Sequence, residues 1–144
     1  MSNRKDGTII VIEDDPDDQL FIRDAFLILD YPNRIIFFED GYKALEYIES
    51  TDIKPFLILS DVNMPILNGF ELRQKIQNNR ELSIRCIPYL SFTTGTDRQA
   101  VQNAYAMSAQ GFFIKPPSMS GLESTLRKIV EYWQECHAPN QYSD

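Results

Sequence analysis

The chain has 144 residues, 43% of them hydrophobic and 12% aromatic, a composition typical of one globular domain with a single core. Its 21 acidic residues outnumber its 14 basic ones, and the net charge of −7 argues against nonspecific binding to nucleic acid. The N-terminal residues lack the apolar core of a signal peptide, and no apolar run approaches the ~20 residues of a membrane span. Together with Cys86 and Cys136, which we interpret as free thiols, these features predict a cytoplasmic protein with no nucleic-acid or membrane partner.

Five short apolar runs rich in β-branched and aromatic residues are predicted to form strands. They lie at residues 9–12, 35–38, 56–59, 87–92 and 112–114. None alternates strictly with polar residues, which is typical of strands buried on both faces of a parallel sheet. Amphipathic helical patterns separate them, and the clearest begins at Leu122 with apolar residues at i, i+4, i+7, i+8 and i+11. The βα order, repeated five times, predicts an α/β domain with helices on both faces of the sheet and right-handed crossovers.

The first predicted strand leads directly into an acidic segment, VIEDDPDD. We interpret Asp15 and the following Pro16 as the N-cap and the first residue of a helix. Asp17 and Asp18 then fall in the first helical turn, where the helix dipole favours negative charge. These three acids are therefore predicted to be structural or solvated, which leaves the two preceding acids for chemistry. A one-residue shift of the helix start would instead exchange the roles of Asp14 and Asp15.

Reactive side chains follow four of the five predicted strands. In chain order they are Glu13 and Asp14, then Asp61, Thr93 and Lys115. Ligands of open α/β sheets collect at the carboxyl ends of the strands, so we expect these side chains to lie together. Carboxylate oxygens suit Mg²⁺, a metal-bound aspartate can attack phosphorus, and an amine and a hydroxyl could then neutralise the phosphoryl charge. Each residue alone is typical of a helix cap, a turn or the surface, so the hypothesis depends on the set.

Four motifs in this order, VIEDD, DVNMPILNG, IPYLSFTTG and IKPP, resemble those of the receiver domains of two-component response regulators. The resemblance implies a doubly wound, flavodoxin-like fold, a three-layer α/β sandwich whose five parallel strands have the order 2-1-3-4-5. We expect a receiver domain over residues 7–137 and a polar C-terminal tail over residues 138–144. The long last helix and the ending after one domain are similar to the stand-alone receivers that partner bacterial phytochromes.

The resemblance also implies the parts of a phosphorylation site. Asp61 matches the phosphoacceptor, and Glu13 and Asp14 match the acidic pair that binds Mg²⁺ with it, with Asp14 as the more direct ligand. Asn63 matches the position whose backbone carbonyl binds the metal, and Mn²⁺ is expected to substitute for Mg²⁺. Lys115 matches the lysine that pairs with the phosphoryl group.

A conformational switch is implied by Thr93 and Phe112, which match the family's switch hydroxyl and switch aromatic residue. Phosphorylation would draw Thr93 inward, vacate space for Phe112 and alter the face formed by the fourth helix, the fifth strand and the fifth helix. That face is the expected surface for a partner or for homodimerisation, with contributions from Val101, Tyr105 and Tyr132. The sequence departs from the family at two points, because a threonine follows Thr93 where a small residue is usual and Phe112 replaces the usual tyrosine.

The implied function is that of a single-domain signalling protein, not an enzyme, which takes a phosphoryl group from a sensor histidine kinase or a phosphotransfer protein. Two alternatives remain open. One is an adaptor that acts without phosphorylation, although every expected site position is filled. The other is an aspartyl-phosphate hydrolase, which Asn63 disfavours because haloacid-dehalogenase-like enzymes place a second aspartate, the general acid, at this point of their DxDxT motif.

Overall fold

The computed structural model describes residues 7–50, 55–62, 67–85, 87–95 and 98–136, without the side chains of residues 83–85. Its strands are β1 (Ile9–Ile12), β2 (Ile35–Phe38), β3 (Leu57–Ser60), β4 (Tyr89–Thr93) and β5 (Gly111–Ile114). They form one parallel sheet in the order β2-β1-β3-β4-β5, which confirms the predicted topology. The bounds of β3, β4 and β5 differ from the predicted ones by one or two residues, because pairing with neighbouring strands, and not apolar character, decides where a strand ends.

The described residues contain six helices, one more than predicted. They are α1 (Pro16–Leu29), α2 (Gly41–Ser50), α3 (Gly69–Asn78), α4 (Arg80–Arg85), α5 (Arg98–Ala106) and α6 (Met119–Glu135). The additional helix is α4, and Asn79 separates it from α3 by adopting an extended conformation. The Asn79 side chain then accepts a hydrogen bond from the Leu82 N–H at 3.2 Å, which favours a new helical turn. The predicted fourth and fifth helices are therefore α5 and α6.

Alternate residues of the strands build two apolar layers, one on each face of the sheet. Ile9 and Val11 of β1 pack with α1 and α6, whereas Ile10 and Ile12 pack with α2, α3, α4 and α5. Each fully buried side chain of this size stabilises the fold by roughly 1.5–3 kcal/mol. The result is the predicted three-layer sandwich, in which packing on both faces fixes the positions of the strand ends.

Two expectations from composition can be compared with the structure. None of the helices in the described part of the chain is both long enough and apolar enough to span a bilayer. Cys136, which directly follows α6, is a free thiol, as predicted. Cys86 lies outside the described residues.

Helix α3 begins in direct contact with the backbone that follows β3. A Cβ atom on Gly69 would lie 2.5 Å from the carbonyl oxygen of Asp61, so only glycine fits at this contact. The buried Tyr89 of β4 donates a hydrogen bond to the Gly69 carbonyl at 3.0 Å. On the other side, the Asp61 N–H donates to the carbonyl of Ile12 at 2.9 Å. The backbone of Asp61 is therefore held between β1 and α3.

Arg73 of α3 is buried, although arginine side chains are usually exposed. Its guanidinium lies over the ring of Tyr89, 5.3 Å from the ring centroid. It donates hydrogen bonds to the carbonyls of Met107 and Ser108 at 3.0 and 2.8 Å, just beyond the end of α5. Arg73 thus joins α3 to the C-terminal end of α5, where positive charge is favoured by the helix dipole.

Replacing Arg73 by alanine should lower the free energy of unfolding by about 2–3 kcal/mol, because two carbonyls lose a charged donor and the space over Tyr89 is emptied. Denaturant unfolding of the purified chain measures this change. Arg34→Ala, at an exposed position, is the matched control and should alter stability by no more than about 0.5 kcal/mol. An Arg73→Ala variant as stable as wild type would contradict the structural link.

Candidate functional site

The carboxyl ends of the strands meet at one edge of the sheet, and backbone pairing continues one residue beyond two of them. The Asp61 N–H donates to the Ile12 carbonyl at 2.9 Å, and the Lys115 N–H donates to the Thr93 carbonyl at 2.8 Å. Asp61 is thereby fixed against β1, and Lys115 against β4. The backbone places these residues at the edge before their side chains make any contact.

Three carboxylates converge at this edge. Glu13, Asp14 and Asp61 each offer a carboxylate oxygen, and these oxygens lie within 4.8 Å of one another. Glu13 and Asp61 are buried, whereas Asp14 is the most exposed of the three. Charges at this distance repel, and a divalent cation that prefers oxygen ligands would offset the repulsion. These residues could therefore hold a metal ion, while the fourth predicted ligand, Asn63, lies outside the described residues.

Glu13 is fixed through both of its carboxylate oxygens. Its Oε1 atom forms an ion pair with the Lys115 ammonium, and its Oε2 atom accepts a hydrogen bond from the Asp15 N–H at 3.1 Å. The Glu13 carbonyl also accepts a hydrogen bond from the Gln19 side chain at 2.6 Å. Because Glu13 is held beside the lysine, we expect direct coordination of a metal to fall mainly on Asp14 and Asp61.

Lys115 lies among these charges, and only 6% of its side chain is exposed. In addition to its contact with Glu13, its Nζ atom lies 3.3 Å from Oδ2 of Asp18 and 3.7 Å from Oδ2 of Asp61. Burial lowers the pKa of the Lys115 ammonium to about 8, while the surrounding carboxylates favour its charged form. The ammonium is thus placed to neutralise negative charge on a group attached to Asp61.

Thr93 is buried at the end of β4, and its hydroxyl donates a hydrogen bond to Oδ1 of Asp61 at 2.7 Å. Asp61 therefore faces a hydroxyl through one oxygen and the Lys115 ammonium through the other. An aspartate in these surroundings can act as a nucleophile toward phosphorus, because both neighbours can stabilise the charge that the transferred group brings.

Asp18, in the acidic segment, makes a contact that the prediction missed. Asp15 caps α1 by accepting a hydrogen bond from the Asp17 N–H at 2.9 Å, and Pro16 is the first helical residue, as predicted. Asp17 and Asp18 lie in the first turn, also as predicted. However, Asp18 also contacts Lys115, so it is part of the site as well as of the helix. The two residues are 97 positions apart, and no local pattern in the sequence indicates their contact.

The predicted partner face carries exposed apolar side chains. Tyr105 of α5, Ile114 of β5 and Tyr132 of α6 are 54%, 52% and 62% exposed, and Val101 is half-buried. Phe112 of β5 is half-buried and packs with the layer that contains α5. This face therefore offers hydrophobic contact area, and the predicted switch aromatic belongs to β5, one of the elements that form it.

Comparison with known proteins identifies the family. A sequence profile described as the response regulator receiver domain matches residues 9–127. The chain belongs to the response regulator receiver domain family. It is 31% identical over 129 residues to the probable methanogenesis regulatory protein FilR2 of Methanothrix harundinacea, and the match spans 87% of this chain and 82% of that protein.

Solved structures of two cyanobacterial receivers have the same fold. The phosphorylated phytochrome response regulator RcpA superposes with a TM-score of 0.82 at 24% identity, covering 92% of this chain and 98% of RcpA. Rcp1, a response regulator of Synechocystis sp., matches over 88% of both chains. Its Mn²⁺-bound form superposes with a TM-score of 0.77 at 24% identity, covering 91% of this chain and 96% of Rcp1. The predicted receiver fold and the weak similarity to phytochrome-associated receivers are confirmed.

Adding Mg²⁺ or Mn²⁺ should raise the melting temperature, because a cation bound by the native carboxylates offsets their repulsion. At a concentration about ten times the dissociation constant, the expected increase is roughly 4 °C. Asp14→Asn should reduce the increase, whereas Asp24→Asn, an exposed acid elsewhere on α1, should not. Calorimetry before and after chelation measures the shift, and an equal shift in both variants would exclude these carboxylates as its source.

Proposed function

We propose that this receiver accepts a phosphoryl group on Asp61 from a sensor histidine kinase or a phosphotransfer protein, in a reaction that requires Mg²⁺. The observation that carries the proposal is the placement of the Asp61 carboxylate. Its Oδ1 atom lies 2.7 Å from the Thr93 hydroxyl, and its Oδ2 atom lies 3.7 Å from the Lys115 ammonium. Glu13 and Asp14 supply further oxygens within 4.8 Å.

In the proposed reaction, an oxygen of Asp61 attacks the phosphorus of a phosphohistidine whose imidazole ring is protonated. The P–N bond breaks, and the ring leaves with the bonding electron pair as neutral imidazole. Mg²⁺ bound by Asp14 and Asp61, with Glu13 beside it, would neutralise charge on the phosphoryl oxygens. Lys115 is close enough to Asp61 to pair with one of these oxygens. The Thr93 hydroxyl can turn from Asp61 to donate to another. Apart from its own phosphorylation and dephosphorylation, we expect no turnover of other substrates.

The proposed output is a change of the face formed by α5, β5 and α6. Thr93 ends β4 and pairs in register with Ile114 of β5, so inward movement of its hydroxyl acts directly on that strand. Phe112, two residues earlier on β5, would then repack against the α5 layer. The exposed Tyr105 and Tyr132 would meet a partner or a second receiver.

The proposed extent of the receiver is residues 7–137, followed by a tail over residues 138–144. The proposed boundary is supported by the last helix, α6, which packs along the sheet beside α1 through Leu122, Leu126 and Ile129. Trp133, in the last turn of α6, still contacts this core. Residues 137–144 lie outside the described part of the chain.

Intact mass spectrometry tests the phosphoacceptor. With a small phosphodonor and Mg²⁺, the wild-type chain should gain the mass of one phosphoryl group, and Asp61→Asn should gain none, because the nucleophilic oxygen is lost. Asp24→Asn should behave as the wild type. An equal mass gain in Asp61→Asn would overturn the assignment. If the wild type gained no mass under conditions that phosphorylate a control receiver, the adaptor hypothesis would be favoured.

The rate of phosphorylation should fall as the pH rises through about 8, because Lys115 neutralises phosphoryl charge only as an ammonium and its pKa is about 8. Deprotonation of a group with this pKa predicts a decline of roughly tenfold between pH 7 and pH 9. Lys115→Arg, which stays charged, should remove the decline, and Lys115→Met should be slow throughout. If the wild type and Lys115→Arg had the same pH profile, Lys115 would not be the titrating group.

A further inference from the structure

A cleft of about 510 Å³ opens beside the site, between α1 and the loop that follows β5. Asp17 and Asp18 line it from α1, and Lys115 and two prolines line it from the loop. Phe21 and Leu122 add apolar surface. The cleft shares Asp18 and Lys115 with the site described above, so a phosphodonor that reacts at Asp61 has room here for the part that is not transferred.

Asp18 makes the α1 wall of this cleft negatively charged close to the reacting atoms. Its Oδ2 atom lies 3.3 Å from the Lys115 ammonium, and a third of its side chain is exposed. Lys115 is already paired with Glu13 and faces Asp61, so its single positive charge is shared among three carboxylates, including that of Asp18. Burial and then the negative charges of neighbouring acids, Asp61 among them, raise the pKa of Asp18. The charge of this wall is therefore only partly neutralised by Lys115.

We propose that Asp18 makes the site selective for phosphodonors whose leaving group departs from a positively charged nitrogen, over acyl phosphates whose leaving group departs as an anion. The inference rests on the proposed phosphorylation of Asp61. In this inference, the negative charge of Asp18 helps to select the donor, a role distinct from capping or stabilising α1.

The physical basis is the charge on the departing atom. With phosphoramidate, the bond between Asp61 and phosphorus forms, the P–N bond breaks, and the protonated nitrogen leaves with the bonding pair as neutral ammonia. With acetyl phosphate, the P–O bond breaks and the oxygen leaves with the bonding pair as acetate, so negative charge develops in the transition state. The Asp18 carboxylate attracts the cationic nitrogen, which lowers the energy of the phosphoramidate transition state relative to the free donor. It repels the developing acetate, which raises the energy of the acetyl phosphate transition state relative to the free donor.

Second-order rate constants for phosphorylation by phosphoramidate and by acetyl phosphate, measured with Mg²⁺ by intact mass, test the proposal. Asp18→Asn should lower the ratio of the two constants, phosphoramidate to acetyl phosphate, by roughly fivefold. Asp18→Glu keeps the charge and should keep the ratio within about twofold of the wild type. Asp24→Asn removes an equal charge from an exposed position of the same helix and should leave the ratio unchanged. Asp18→Ser provides a second neutral variant with a residue that is favourable near a helix N-terminus.

The outcomes separate the inference from the proposed function. If the neutral Asp18 variants are phosphorylated with an unchanged ratio, the inference is overturned and the phosphoacceptor role stands. If both constants fall by the same factor, Asp18 only positions Lys115, and selectivity by charge is likewise overturned. If neither donor modifies the wild type, the proposed function fails and the inference fails with it.

Discussion

Like-charge repulsion at one edge of the sheet is the constraint on which the rest of the site depends. Parallel strands end at the same edge, where Glu13, Asp18 and Asp61 surround Lys115 and Asp14 lies beside Glu13 and Asp61. One ammonium does not neutralise four carboxylates, so the edge keeps an excess of negative charge. The same excess that opposes folding favours a divalent cation at this edge, and in the inference above it would make the site sensitive to the charge of an incoming donor.

The surroundings of Asp61 differ in rigidity on its two sides. On the α3 side, Gly69 leaves no space for a Cβ atom, and Tyr89 and Arg73 extend the contact to the end of α5. On the other side, Thr94 is exposed, and Gly95 has a positive φ of 68° with no atom within 4 Å of its Cβ position. In the proposed switch, a change at Asp61 would therefore meet fewer packed neighbours on the side of Thr94 and Gly95 than on the side of α3. The C-terminal end of α5, held by Arg73, would serve as the fixed point of such a movement.

The features that the sequence predicts are the locally encoded elements and the strand order, which the family resemblance implies. Apolar runs predict the strands, and the Asp–Pro pair at Asp15 predicts the start of α1, because both depend on neighbouring residues. The separation of α4 from α3 depends on one side-chain bond of Asn79, which competes with a continuous helical pattern. The burial of Arg73 and the contact of Asp18 with Lys115 are decided by partners many positions away. From a helical pattern alone, the charged side chains of Arg73 and Asp18 are expected at the surface. Only the assembled fold shows that Arg73 is buried and that Asp18 contacts Lys115.

The alternation of side chains along β5 explains how one short strand can serve two faces of the domain. Phe112 points into the layer with α5, and Phe113 points into the layer with α1 and α6. Lys115, directly after the strand, joins the carboxylates at the sheet edge and lines the cleft beside α1. A donor that approaches along α1 therefore leaves the surface around Ile114 and Tyr105 uncovered. In the proposed function, a phosphodonor in the cleft beside α1 and a partner at Tyr105 and Ile114 would contact different residues, and β5 would connect the two contacts.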